Sequence, residues 1–465
     1  MQPLVILNTV GLTSRLLPLA PRLHALAQAN WSRPLHEVLP AVTCTAQASM
    51  LTGKLPQEHG IVGNGWLFRD TMEVRFWQQS NRLIQAEPVY ASLQKRGLRC
   101  AKLFWWFNQG AAVDLAVTPK PHYGADGSKA FDVQTYPEPW AARLTRKLGA
   151  FPFPSFWGPM AGLPCTEWIG RCAAEVLLAD GGPPQLTLTY LPHLDYEPQR
   201  LGPNQCDWKK LVGELDAACA PVLDAAQKIG AAVWIVNEYT HVQVDQPIYL
   251  NRLLRQAGLL VARDGPFGDQ LEPYASSAFA VCDHQVAHVY VGAATQVVKI
   301  RELLAQEAGI ERVYAGDERA DIGLHHSRAG DLVVLAKPNA WFAYPFWLDD
   351  GRAPDYARTV DIHRKPGYDP CELLFDPQLM WGKGRAFAKI GMKKLGMRTL
   401  VDVIPLDASL IKGSHGRCVN DPLDKPVLIG TGTAPSTLTV HQTDIRGRIL
   451  DHFGSGDGPA PLFSR

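Results

Sequence analysis

The chain's nine cysteines contain no CxxC pair, which excludes a zinc ribbon, and their odd number speaks against a closed disulfide framework. Buried free thiols are the expectation. Charge of either sign is not in excess either: 46 basic residues stand against 45 acidic ones. No global field therefore directs the chain to a nucleic-acid polymer or an anionic membrane. Long apolar runs are missing. The opening stretch, Met1 to Leu17, has no basic residue before it and is interrupted by Asn8, Thr9 and Gly11. It is a poor signal peptide and far too short to span a bilayer, so a cytoplasmic enzyme with no membrane partner is expected. Internal repeats and low-complexity tracts are absent as well.

What is present is ordinary for a globular protein: 46% apolar and 20% charged residues. At 465 residues the chain can bury a large core, as one big α/β domain or two smaller ones. Apolar runs at Leu4 to Leu7, Cys100 to Trp106, Gln185 to Tyr190, Ala231 to Asn237 and Asp331 to Ala336 read as buried strands. Helical stretches alternate with them at Pro88 to Gly97, Thr166 to Leu178, Lys209 to Ile229, 248–260, Val297 to Ala308 and Thr443 to Phe453. Strand followed by helix is the start of a doubly wound sheet. Residues 108–164, rich in Pro, Gly and aromatics, read as long loops.

Polar clusters follow a rule. Asn8-Thr9, His193-Asp195 and Asn237-Glu238 each stand just past the carboxyl end of an apolar strand, the edge where open α/β sheets bind ligands. The stretch Pro40 to Trp66 adds Thr43, Cys44 and Thr45 at the start of a helical segment, AQASML, that Gly53 can close. Such a hydroxyl either caps the helix or attacks a phosphate cradled by the helix N–H groups. A threonine is a weak nucleophile at neutral pH and needs a metal or a base to activate it.

Several spaced residues in this stretch, Thr43, Thr52-Gly53, Pro56, His59-Gly60-Ile61 and Asn64, resemble the nucleophile segment of type I phosphodiesterases. These are the nucleotide pyrophosphatases/phosphodiesterases of the alkaline phosphatase superfamily. The resemblance extends from Leu4 to about Phe453. It implies an α/β fold of alkaline-phosphatase type: a doubly wound, mostly parallel central sheet with helices on both faces and a smaller inserted region. The expected organisation is a single domain over 1–465 with an inserted or cap-like part at about 245–400. The implied activity is metal-dependent hydrolysis of a phosphate ester of a small phosphorylated substrate through a phosphothreonine at Thr43, with Cys44 and Thr45 as alternatives. Where the family has Asn three residues after the Thr, this chain has Ala46, and Gln47 is the replacement for that phosphate contact; Asn64 is a second substrate contact.

The metal positions depart further. The segment LPHLDYEPQRLGP fits the family pattern with Asp195, with Gln199 in place of His, and with Gly202-Pro203; His193 and Glu197 are further possible ligands. After the strand Ala231 to Asn237 the family has Asp-His, matched here by Glu238 and Tyr239. Matching Gly11 puts Val10 where the family has its first Asp, with Asn8 nearby. The closing Gly-x-His-Gly motif is kept, with His415. The family's first ion then rests on Asp195, Gln199 and His415, and its second on Val10, Glu238, Tyr239 and Thr43. The first site is therefore expected to be the better preserved. Zinc is implied by the resemblance, whereas the oxygen-rich donors would tolerate magnesium, manganese or calcium.

Three further features stay open. Trp105, Trp106 and Phe107 either stack on a substrate ring or belong to the core. The motif DHQVAH carries His284 and His288, which on a strand lie about 13 Å apart, too far to share one ion. The basic groups His363, Arg364 and Lys365 beside Asp361 either steady a phosphate or form a solvated loop. Two functions are carried forward: a phosphodiesterase, nucleotide pyrophosphatase or phosphatase, and a relative that binds a phosphorylated ligand without hydrolysing it.

Overall fold

The structure, a computed structural model, describes residues 1–125, 129–379 and 400–454, together with 384, 388, 389, 391 and 392. A nine-stranded sheet organises it. Its middle is five parallel strands in the order Ala232–Val236, Leu4–Asn8, Leu186–Tyr190, Cys100–Leu103 and Leu115–Pro119. Antiparallel neighbours flank them: Val427–Gly430 on one side and Val133–Tyr136 on the other. The strands at 4–8, 186–190 and 232–236 are buried at every residue, as an unbroken apolar run requires when both faces are covered. Parallel register matters for function. Asn8 lies beside Tyr190 on one side and Val236 on the other, so the segments leaving these three strands emerge at one edge.

Two groups of helices cover the sheet. Pro21–Ala29, Leu163–Leu177 and Trp208–Lys228 pack on one another, with Gly170 so close to the facing helix that a Cβ there would meet the Ala218 carbonyl at 2.3 Å. Asp216 of the long helix accepts from the Arg22 and Leu23 amides, capping a helix that has no side-chain cap of its own. The second group is Thr43–Thr52, Val89–Lys95 and Ile445–His452. A separate antiparallel sheet, Ala278–Asp283, Val286–Val291, Leu332–Ala336 and Ile310–Ala315, has its own apolar core. Among the described residues no helix is long and apolar enough to cross a membrane.

The stretch 108–164 differs from the loop reading. It contributes two strands of the main sheet and the helix Pro139–Leu148. The strand Cys100–Leu103 is also shorter than expected, because Phe104 takes a left-handed φ of 63°. That turn buries Trp105 and Phe107 in the core and leaves Trp106 partly exposed.

Candidate active site and metal centre

Thr43 is the first residue of the helix Thr43–Thr52, after an extended Val42 whose side chain makes no cap; Asn64 accepts from the Cys44 amide instead. The Thr43 hydroxyl is thus not spent on the helix start. It lies 3.0 Å from the Tyr239 hydroxyl. Tyr239 in turn donates to Asp195 Oδ1 at 3.0 Å. The two alternative nucleophiles point elsewhere. Thr45 donates to the Ile61 carbonyl. Cys44 packs among Ala48, Ile61, Val62 and Trp66, and burial pushes its thiol well above the ordinary range. Gly53 closes the helix with a φ of 66°, the left-handed conformation glycine adopts without cost.

Asp195 belongs to a short turn, His193–Asp195, that follows the strand Leu186–Tyr190. His241 Nε2 lies 3.1 Å from the same Oδ1, and His415 Nε2 is 3.9 Å away. One ligand atom from each of Asp195, His241 and His415 falls within 4.8 Å of the others, and all three residues are buried. His415 Nδ1 donates to the Ala41 carbonyl at 2.8 Å, which leaves the Nε2 lone pair for a ligand. Burial, with His284 and His241 alongside, drives His415 well below its ordinary range, so the ring stays neutral. Burial raises the Asp195 carboxyl, but the hydrogen bonds from His241 and Tyr239 and the adjacent His241 and His415 rings outweigh it and hold it below its usual value. One carboxylate and two imidazoles form a donor set that fits a borderline dication such as zinc with a position left open.

Glu238, which follows the strand Ala232–Val236, is wholly buried. Its Oε1 accepts from Asn8 Nδ2 at 2.5 Å and from Gln47 Nε2 at 2.6 Å. Burial lifts this carboxyl to about 8, against the opposing bonds of Gln47, Asn8 and Thr43. Gln47 is fixed at its other end by the Trp106 amide, 2.7 Å from Oε1. Val10 is in the hydrophobic core; the residue that reaches the site from the first strand is Asn8.

Several expected contacts are engaged with protein groups. Asn64 accepts from the Cys44 amide and donates to Asp283, whose carboxyl burial lifts to about 7. Gln199 donates to the Asp195 carbonyl and accepts from Tyr368; both ends of its amide are taken, and the cluster is completed by His241 instead. Sequence reasoning missed His241 because it aligned the family's His with the residue next to Glu238. The spacing held a signal: in an extended segment Tyr239 and His241, two apart, share a side. Tyr239 uses its position differently, stacking on His415 with ring centroids 3.6 Å apart.

The remaining candidates fall outside this cluster. Lys365 is 1% exposed and pairs with Asp369 at 2.6 Å and Glu372 at 2.8 Å. His363 is exposed, with Nδ1 3.4 Å from the Phe76 carbonyl. His193 pairs with Glu214, and Glu197 with Arg200. His288 is satisfied by the Val62 carbonyl and the Gly330 amide. His284 occupies the hairpin turn with a left-handed φ of 59°, its ring between those of His415 and Tyr368.

Comparison with known proteins agrees with this architecture. No curated protein sequence matches the chain. Among solved structures, murine ectonucleotide pyrophosphatase/phosphodiesterase 5 is similar at 12% identity and a TM-score of 0.58, over 100% of this chain and 98% of that one. Phosphonoacetate hydrolase from Sinorhizobium meliloti 1021 is similar at 15% identity and a TM-score of 0.61, over 97% of this chain and 95% of that one. Identities this low speak to the fold. Residues 4–369 match the family model described as type I phosphodiesterase / nucleotide pyrophosphatase. With most of its length matched and its strand-edge cluster in place, the chain belongs to the type I phosphodiesterase / nucleotide pyrophosphatase family and is a phosphoester hydrolase.

Proposed function

We propose that the chain hydrolyses a phosphate ester of a small molecule, with Thr43 as the nucleophile and one divalent cation held by Asp195, His241 and His415. The observation that carries this reading is the continuous contact from the Thr43 hydroxyl through Tyr239 to Asp195. Thr43 also stands at a helix N-terminus, where the helix dipole favours a phosphate. A bound dication would offset charge on the phosphoryl oxygens. The chain's own residues do the rest. Thr43 Oγ1 attacks phosphorus as the bond from phosphorus to the ester oxygen breaks; Tyr239, hydrogen-bonded to that hydroxyl and donating to Asp195, is placed to relay the Thr43 proton away. Water then attacks the phosphothreonine, the Oγ–P bond breaks, and Thr43 regains its proton.

The murine relative's inactive threonine-to-alanine variant was captured with AMP, and the Sinorhizobium enzyme with phosphonoformate. A small phosphorylated substrate is the matching class here. The second sheet, which delivers Asp283 and His284, is read as part of an inserted region within a single domain. The test is a screen of metal-loaded protein with p-nitrophenyl phosphate and bis-p-nitrophenyl phosphate. Metal-dependent turnover of either supports hydrolysis. Binding without turnover of these or natural esters would leave the non-hydrolytic relative standing.

A further inference from the structure

The resemblance to two-ion phosphodiesterases implies a second cation beside Thr43, and the residues around that position do not fit one. Val10 offers an apolar side chain lost in the core. Tyr239 offers a phenol already bonded to Thr43 and Asp195. Glu238 brings the single carboxylate, and its Oε1 faces two N–H groups, from Asn8 and Gln47. A cation at that oxygen would meet the positive ends of both amide dipoles. Gln47 cannot turn its oxygen inward instead, because the Trp106 amide holds it. Two buried oxygens, Asn8 Oδ1 and Glu238 Oε2, have no partner, but one is neutral. Together they offset a single charge of a dication that would stand next to another.

We propose that this centre is built for one cation, and that Glu238, clamped by Asn8 and Gln47, is a fixed part of the protein framework beside it and not a ligand to a second ion. The inference rests on the assignment of Thr43 and of the Asp195, His241 and His415 centre above. It reassigns Glu238 from metal ligand to a buried acceptor for Asn8 and Gln47.

The experiment counts ions rather than turnover, so its failure is separable from failure of the hydrolase reading. The full chain is dialysed against excess zinc or manganese, then against metal-free buffer, and its metal content is measured. One retained ion per chain is expected for the wild type and for Glu238→Gln. Two retained ions in the wild type would overturn the inference while leaving the hydrolase reading intact. Loss of the ion in Glu238→Gln would make Glu238 a ligand and overturn it too. No retained ion at all would remove the metal centre on which the inference rests, and the inference with it.

Discussion

Two of the buried charge clusters among the described residues are built to opposite ends. In one, Lys365 is held by Asp369 and Glu372, while Trp157 and the Asp361 amide complete Glu372 and the Cys371 amide completes Asp369. Every carboxylate oxygen there has a donor. Although burial opposes the Lys365 charge, Asp369 and Glu372 outweigh it and keep the amine charged. In the other, Tyr239 and His241 both reach Asp195 Oδ1, His415 Nε2 stands off at 3.9 Å, and Oδ2 has no bond recorded among the described residues. The first cluster is complete without a ligand. The second gathers carboxylate and imidazole donors within 4.8 Å of one another, with the Thr43 hydroxyl joined to them through Tyr239. Burial and charge are common to both, so what marks a site is unfinished bonding next to a nucleophile.

Substitution should separate the two clusters sharply. The largest effect is expected at the nucleophile: Thr43→Val, nearly isosteric, should leave the melting temperature close to wild type and lower kcat by about 10⁴-fold or more. Next comes the open cluster. Asp195→Ala and His241→Ala should each release the cation in a metal-content measurement and cost on the order of 10²–10³ in kcat/KM, with the fold retained. The closed cluster should respond in the reverse sense. Lys365→Met strands two buried carboxylates and should cost about 3–5 kcal/mol of stability in denaturant unfolding, while the metal content stays unchanged. An intact Lys365→Met protein with a raised KM would instead make Lys365 a substrate contact.

The smallest effect is a pH dependence remote from both clusters. Burial lowers His288 from 6.5 to about 4 and His59 to about 3. Both must stay neutral to remain buried, so the unfolded chain takes up protons first as the pH falls. Stability should be level above about pH 7 and decline from 6.5 toward 4. A melting temperature constant across that window would contradict the assignment.

The scaffold was legible because buried parallel strands write themselves as unbroken apolar runs, and each polar residue just past such a run arrives at one edge. Leu4 to Leu7, Gln185 to Tyr190 and Ala231 to Asn237 are of this kind. The strands at 115–119 and 133–136 were not, since they lie toward the edge of the sheet within a stretch whose Pro, Gly and aromatic residues obscure any period. At the site, Thr43, Asp195 and His415 sit where spaced motifs mark them. His241 escaped because its place depends on how the chain leaves its strand, a matter of backbone path. The engagement of Gln199 by Tyr368, or of Lys365 by Glu372, is equally a product of tertiary packing: partners 169 and 7 positions apart in sequence carry no local signal.

The central claim is that Thr43 carries the phosphoryl group, and the most direct measurement is peptide mapping of protein quenched in acid during turnover. The account predicts phosphate on Thr43 in the peptide that spans residues 43–52, present in the wild type and absent in Thr43→Val. Phosphate on Cys44 or Thr45, or undiminished turnover by Thr43→Val, would contradict it.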